Sequence, residues 1–133
     1  MAFGAKGSGV ETIAHLKENK RIVLMFCAFT GAPKIVRLHG IGETIEAGHP
    51  EFQRFQIHFP STAGVRAFIK VQLTRISDSC GYGVPLYDYR GERSQLRKWA
   101  EQKGEEWLAE YRSSRNSQSI DQLEGVALPE RVQ

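Results

Sequence analysis

Apolar and polar positions change their period several times along the chain, and each change marks an element. Residues 65–74 carry the clearest pattern. Val65, Ala67, Ile69, Val71 and Leu73 alternate with Arg66, Phe68, Lys70, Gln72 and Thr74, the period of two expected of a strand with one face buried. Ile22 to Phe29 is an unbroken apolar run, too short for a typical buried helix, and predicts a strand covered on both faces. Thr30-Gly31-Ala32-Pro33 supplies turn residues. Lys34 to Ile45 then predicts the returning strand of a hairpin, with Ile35, Arg37, His39 and Ile41 on one face and Val36 and Leu38 on the other. Gly40 and Gly42 interrupt that strand, where glycine signals a bulge, a bend or a close approach.

Helical signals flank these strands. Ser8-Gly9-Val10-Glu11 has the spacing of a capping box, which predicts a helix from Ser8 that stops at Asn19. Gly48-His49-Pro50 opens a short helix carrying Phe52, Phe55 and Phe59, placed to cap an open end of the sheet. Ser77 to Asp88 reads as a loop, and its Tyr82, Leu86 and Tyr87, with the neighbouring Tyr89, give it something to pack against. From Glu92 onward Leu96, Trp99, Ala100, Trp107, Leu108 and Tyr111 keep near-helical spacing, broken at Gly104. The chain beyond Arg115 is polar and reads as irregular. The expected organisation is one domain over residues 1–121 and a polar tail over 122–133.

Composition narrows the function classes. The 133 residues fit one domain, and 41% apolar with 25% charged residues is ordinary globular usage. Eighteen basic and fifteen acidic residues leave a net charge of +3 without a basic block, so nothing points to nucleic acid. Two cysteines outside any Cys-x-x-Cys spacing argue against a disulfide framework or a zinc site and favour a reducing, cytoplasmic setting. No leader and no membrane span are expected. No nucleophile elbow, Walker loop or His-Glu-x-x-His motif is present, no catalytic side chain is assigned, and His39 has no metal partner at ligand spacing. Any chemistry would then be carried by a cofactor.

Three segments carry a family resemblance. Residues 7–19, the strand Arg21 to Phe29, and Cys80-Gly81-Tyr82-Gly83-Val84-Pro85-Leu86-Tyr87 resemble the pyridoxamine 5'-phosphate oxidase-related, FMN-binding split-barrel family, from about Gly7 to Asp121. The resemblance implies a mainly β fold with flanking helices (α+β), a split β-barrel that here lacks the usual N-terminal strands. It also implies a homodimer with FMN sites at the subunit interface. The family holds the FMN phosphate near the turn into the first helix, which makes Lys6, Ser8 and Thr12 the candidates here; a helix N-terminus with hydroxyl and cationic neighbours suits a phosphate. Arg37, beside His39, and the displayed Tyr82 are the remaining candidates for cofactor contact.

Each of these residues also has a plainer reading. Ser8 and Glu11 serve equally as a helix cap, Arg37 and His39 as an exposed strand face, and Arg66 and Lys70 as the polar face of a half-buried strand. Where the authentic oxidase has a Ser-Arg-Lys clamp this chain has Val10-Glu11-Thr12, which argues against true pyridoxamine-phosphate oxidase activity. The expected function is an FMN-binding redox protein. The alternative is a shortened, cofactor-free structural or interaction domain of the same fold.

Overall fold

The computed structural model describes residues 1–6, 9–59 and 63–127. Seven elements follow one another: β1 (Ala2–Lys6), α1 (Glu11–Asn19), β2 (Arg21–Cys27), β3 (Lys34–Glu46), α2 (Phe52–Gln56), β4 (Val65–Cys80) and α3 (Gln95–Arg115). The strands make one antiparallel sheet in the order β1-β4-β3-β2. It curls into a half-barrel with helices at its flanks, the architecture the split-barrel reading implies.

β1 is announced by no pattern. Ala-Phe-Gly-Ala-Lys holds few strand-forming residues, and it is extended because β4 offers it an edge, from Ala2 opposite Lys70 to Lys6 opposite Val65. Met1 fastens its start: the Val71 amide donates to the Met1 carbonyl at 2.7 Å, and the Met1 amine donates to the Val71 carbonyl at 3.1 Å.

β4 is sixteen residues long and passes Thr74, where the alternation ends, to reach Cys80. Ser77 to Cys80, expected to begin a loop, pair with Arg37 to Lys34 of β3. They need no apolar alternation because no core lies against them. Between Arg75 opposite His39 and Leu73 opposite Gly40, Thr74 is the extra residue of a bulge. The missing side chain of Gly40 is what lets the backbones close there, since a Cβ would lie 2.5 Å from the Gln72 carbonyl oxygen. At Gly42 a Cβ would meet Leu16 at 2.6 Å, so this glycine admits α1 to the sheet.

The core gathers around the first half of β4. On one face Val10, Ile13 and Leu16 pack on Ala67, Ile69 and Val71. On the other, Phe52, Phe55 and Phe59 surround Phe68, with ring centroids 5.1, 6.0 and 4.9 Å away. Residues 65–69 are consequently all buried. The half-buried strand of the alternation is thus covered on both faces here, and α2 covers a face of β4 rather than an open end of the sheet.

β2 shows the opposite departure. Its register with β3 and β4 sorts residues into rows: Ile22–Gly40–Leu73, Leu24–Leu38–Ile76 and Phe26–Val36–Asp78 share one face, while Val23–His39–Arg75 and Met25–Arg37–Ser77 share the other. Val23, Met25, Phe26 and Ile76 are about half exposed or more. The apolar run is therefore an edge strand open to solvent, not one buried on both faces.

α1 begins at Glu11, with Val10 as its cap residue and no side-chain cap. Val10 is 2% exposed, so burial of its side chain sets the start of the helix; Ser8 lies outside the described residues. The stop at Asn19 is as the sequence predicts, with Lys20 left-handed and its amide bonded to the Leu16 carbonyl. α3 is broken at Gly104, whose φ of 75° and ψ of 165° are not helical. Its Trp99, Trp107 and Tyr111 pack on one another with centroids 5.2–5.5 Å apart, while Ala100 and Leu108 are the buried stripe. The chain stays packed beyond residue 121: Val126 donates to Asn116 at 2.8 Å and joins Val10 and Ile13 in the core. No helix of the described residues is long and apolar enough to cross a membrane.

Candidate functional site

The turn into α1 is built where β1 ends. Lys6 closes β1 opposite Val65, at an irregular step in the register. Gly9 follows with φ of 91°, a conformation that favours glycine. The Arg66 guanidinium donates to the Gly9 carbonyl from inside the protein. Thr12 is exposed in the first turn of the helix. Val10, the cap residue of α1, makes no side-chain cap, and the partial positive charge of a helix N-terminus is the electrostatics that suits a phosphate.

Glu11 occupies the same turn; Ser8, its expected partner in a capping box, lies outside the described residues. The Glu11 carboxylate accepts from the Ile120 amide at 3.0 Å and lies 3.8 Å from His15. His15 in turn sits 3.2 Å from Asp121. Glu11, His15 and Asp121 thus present one ligand atom each within 4.8 Å of one another, an exposed cluster that ties α1 to the chain after α3. Lys17 makes the second tie. It reaches Glu46 at 2.9 Å, Glu124 at 3.2 Å and the Gly125 carbonyl at 2.5 Å. Burial alone would lower its pKa, but the bonds to Glu46 and Glu124 outweigh burial and hold it above the ordinary value.

The other two candidates, Arg37 on β3 and Tyr82 after β4, lie toward the Cys80 end of β4. Arg37 pairs with Ser77 in register and donates to the Ser79 hydroxyl at 2.8 Å, and His39 Nε2 lies 3.4 Å from the Ser77 hydroxyl. Arg21, Val23, His39 and Ile41 border an open hollow of about 450 Å³ on this part of the sheet. Tyr82 lies two residues beyond the end of β4 and is 84% exposed. Lys6 faces Val65 at one end of β4 while Tyr82 follows Cys80 at the other. Within one copy of the chain Lys6 therefore lies at the opposite end of β4 from Tyr82 and from Ser77, the partner of Arg37.

Arg66 is the residue that periodicity misplaces. Alternation puts it on a polar strand face, whereas it is 7% exposed. Burial lowers its pKa, and the like charge of Arg112 acts in the same direction. A charged residue inside the strand pattern beside Val65 and Ala67 is the only trace the sequence gives of this. Lys70 behaves as predicted, partly exposed between Glu51 at 2.7 Å and Glu43 at 3.2 Å. Its hydrogen bond to Glu51 raises the lysine and lowers the carboxyl.

No family model and no solved structure matches the chain. Among curated proteins it is similar to the pyridoxamine 5'-phosphate oxidase family protein ustO of Aspergillus flavus, 38% identical over 137 residues. The match covers 90% of this chain and 54% of that relative, so the chain spans about half the relative's length. At that identity, over nine-tenths of its own length, the chain belongs to the pyridoxamine 5'-phosphate oxidase-related family.

Proposed function

We propose that this chain is the FMN-binding, redox-active part of a pyridoxamine 5'-phosphate oxidase-related protein, working as a homodimer. The observation that carries the reading is the start of α1, where the cap residue Val10 supplies no side-chain cap and Thr12 is exposed, in a chain of this family whose β1 ends at Lys6. The residues fit a phosphate there: backbone donors at a helix N-terminus, a hydroxyl and an ammonium, with the Glu11 carboxylate engaged by Ile120 and His15. When bound, FMN supplies electron transfer through its isoalloxazine ring.

This chain's own residues orient and shield. The buried Arg66 holds the Gly9 carbonyl and so fixes the path of the turn that would receive the phosphate. Ser8 belongs to the same proposed contact. Arg37 and Tyr82 enter the site from a second copy, which is why their distance from Lys6 within one chain supports a shared site rather than opposing it. On the face that carries Leu24 and Leu38, Phe26 and Ile76 are the apolar side chains left exposed, the surface a second copy would cover. The second reading, a cofactor-free interaction domain, draws on that same open face and on the acidic side chain in the first turn of α1.

Titrating FMN fluorescence with purified protein separates the two. Quenching that saturates in the low micromolar range, weakened by Thr12→Val and by Arg37→Ala, supports the flavin reading. No quenching at high micromolar FMN, with a dimer still seen by light scattering, leaves the interaction domain. A well-folded monomer at high concentration removes the shared site.

A further inference from the structure

We propose that Glu11, His15 and Asp121 form a binding site for a divalent transition cation of the zinc type, which staples α1 to the chain after α3. The site goes beyond the flavin reading and stands without it. Glu11 and His15 are one helical turn apart on α1, the spacing that sets two side chains on one face. Asp121 reaches them from the far end of the described chain, and the three ligand atoms lie within 4.8 Å of one another. His15 Nε2 is 3.2 Å from Asp121 Oδ2 and 3.8 Å from Glu11 Oε2. These separations fall on either side of the roughly 3.4 Å between neighbouring ligand atoms of a tetrahedral zinc with bonds of about 2.0–2.1 Å.

The atoms that converge here offer electron pairs rather than protons. An ionised carboxylate only accepts, and a neutral imidazole has one proton for its two nitrogens. His15 Nδ1 faces Glu18 Oε2 at 3.9 Å, so a proton on Nδ1 has a carboxylate of its own, and Nε2 presents its lone pair to Glu11 and Asp121. Glu11 Oε1 takes the Ile120 amide at 3.0 Å, which orients that carboxylate and leaves Oε2 for the cluster. Among the described residues no lysine or arginine lies within ion-pair distance of Glu11, Glu18 or Asp121. Three carboxylates thus surround one imidazole, and a metal cation supplies the missing charge where the lone pairs meet. An imidazole among the ligands favours zinc and its neighbours over magnesium or calcium, which take oxygen. The Asp121 side chain is 60% exposed, which leaves a further coordination position open to water. The frame is held from outside the cluster: Lys17, on the same helix, bonds Glu124 and the Gly125 carbonyl, and Val126 packs with Val10 and Ile13. The ligands from the two segments are therefore brought together before a cation arrives.

The test is a calorimetric titration of the EDTA-treated full chain with ZnCl₂, with MgCl₂ in parallel, read together with the imidazole nitrogen resonances. One zinc per chain is expected, and the His15 nitrogens should move to saturation while those of His39, His49 and His58 stay. Magnesium should bind at least about tenfold more weakly. His15→Gln and Asp121→Asn, both at partly or largely exposed positions, should each weaken zinc at least about tenfold and remove the rise in melting temperature that zinc gives the unaltered chain. The double variant Cys27→Ser, Cys80→Ser should bind zinc as the unaltered chain does. Unchanged zinc affinity in a folded His15→Gln, binding that disappears with the two cysteines, or shifts at His39 or His49 in place of His15 would each overturn the site. Zinc bound at His15 in a chain that fails to quench FMN would leave this inference standing and remove only the flavin reading.

Discussion

The two halves of β4 are one continuous strand with opposite surroundings. Residues 65–71 lie between α1 and the phenylalanines of α2, and Ala67 and Phe68 are fully buried. Residues 72–80 keep the same ladder to β3, yet all but Ser77 are exposed. Hydrogen bonding alone thus carries the strand onward, while packing stops after Val71, three residues before the Thr74 bulge. The covered half holds the fold, and the bare half leaves its side chains at the surface. Because a ladder does not need packing on its faces, Leu73 and Ile76 are apolar without being core.

That separation can be broken most severely at Phe68. Phe68→Ala removes the ring around which Phe52, Phe55 and Phe59 are arranged, and about 3–5 kcal/mol of stability should be lost in urea unfolding. At the boundary, Gly40→Ala forces a Cβ against the Gln72 carbonyl oxygen. A loss of about 1–3 kcal/mol is expected, with cross-peaks of the bare half perturbed more than those of the covered half. A smaller effect is expected from pH. Lys17 has a pKa raised above the ordinary 10.5 in the folded chain, so its contribution is complete below that value and is lost as pH rises through the higher folded value. An alkaline fall in melting temperature that Lys17→Met abolishes would confirm it. The smallest effect belongs to Ile76→Ala in dilute protein, within about 0.5 kcal/mol. A loss there as large as that of Phe68→Ala would erase the distinction between the halves.

The same division explains what the sequence made legible. The hairpin, the stop at Asn19, the break at Gly104 and the close approach at Gly40 and Gly42 all rest on local signals, and each stands in the structure. β1 could not be read, because its conformation is imposed by an edge sixty residues away. The length of β4 could not be read either, since a strand without a core on either face need not alternate. Periodicity also misplaced Arg66, where the covering chain comes from α3 and the segment after it. In the candidate site, the turn into α1 was visible as a helix start, but Val10 in the core decided where the helix begins. That Lys6 and Tyr82 stand at opposite ends of β4 is a matter of register, which one strand's pattern does not contain.

The unbroken ladder between β3 and β4 has one more consequence. Thirteen residues of β3, from Lys34 to Glu46, find partners along β4 across both halves. Side chains of the bare half meet water, but the backbone amides beneath them are held in the interior ladder of a four-stranded sheet. Solvent contact of a side chain and exchange of its amide hydrogen with deuterium are therefore uncoupled here. Leu38, central in the sheet, should retain its proton through openings that release those of β2, and the slow amides of this chain should trace the middle strands from end to end rather than the outline of the core.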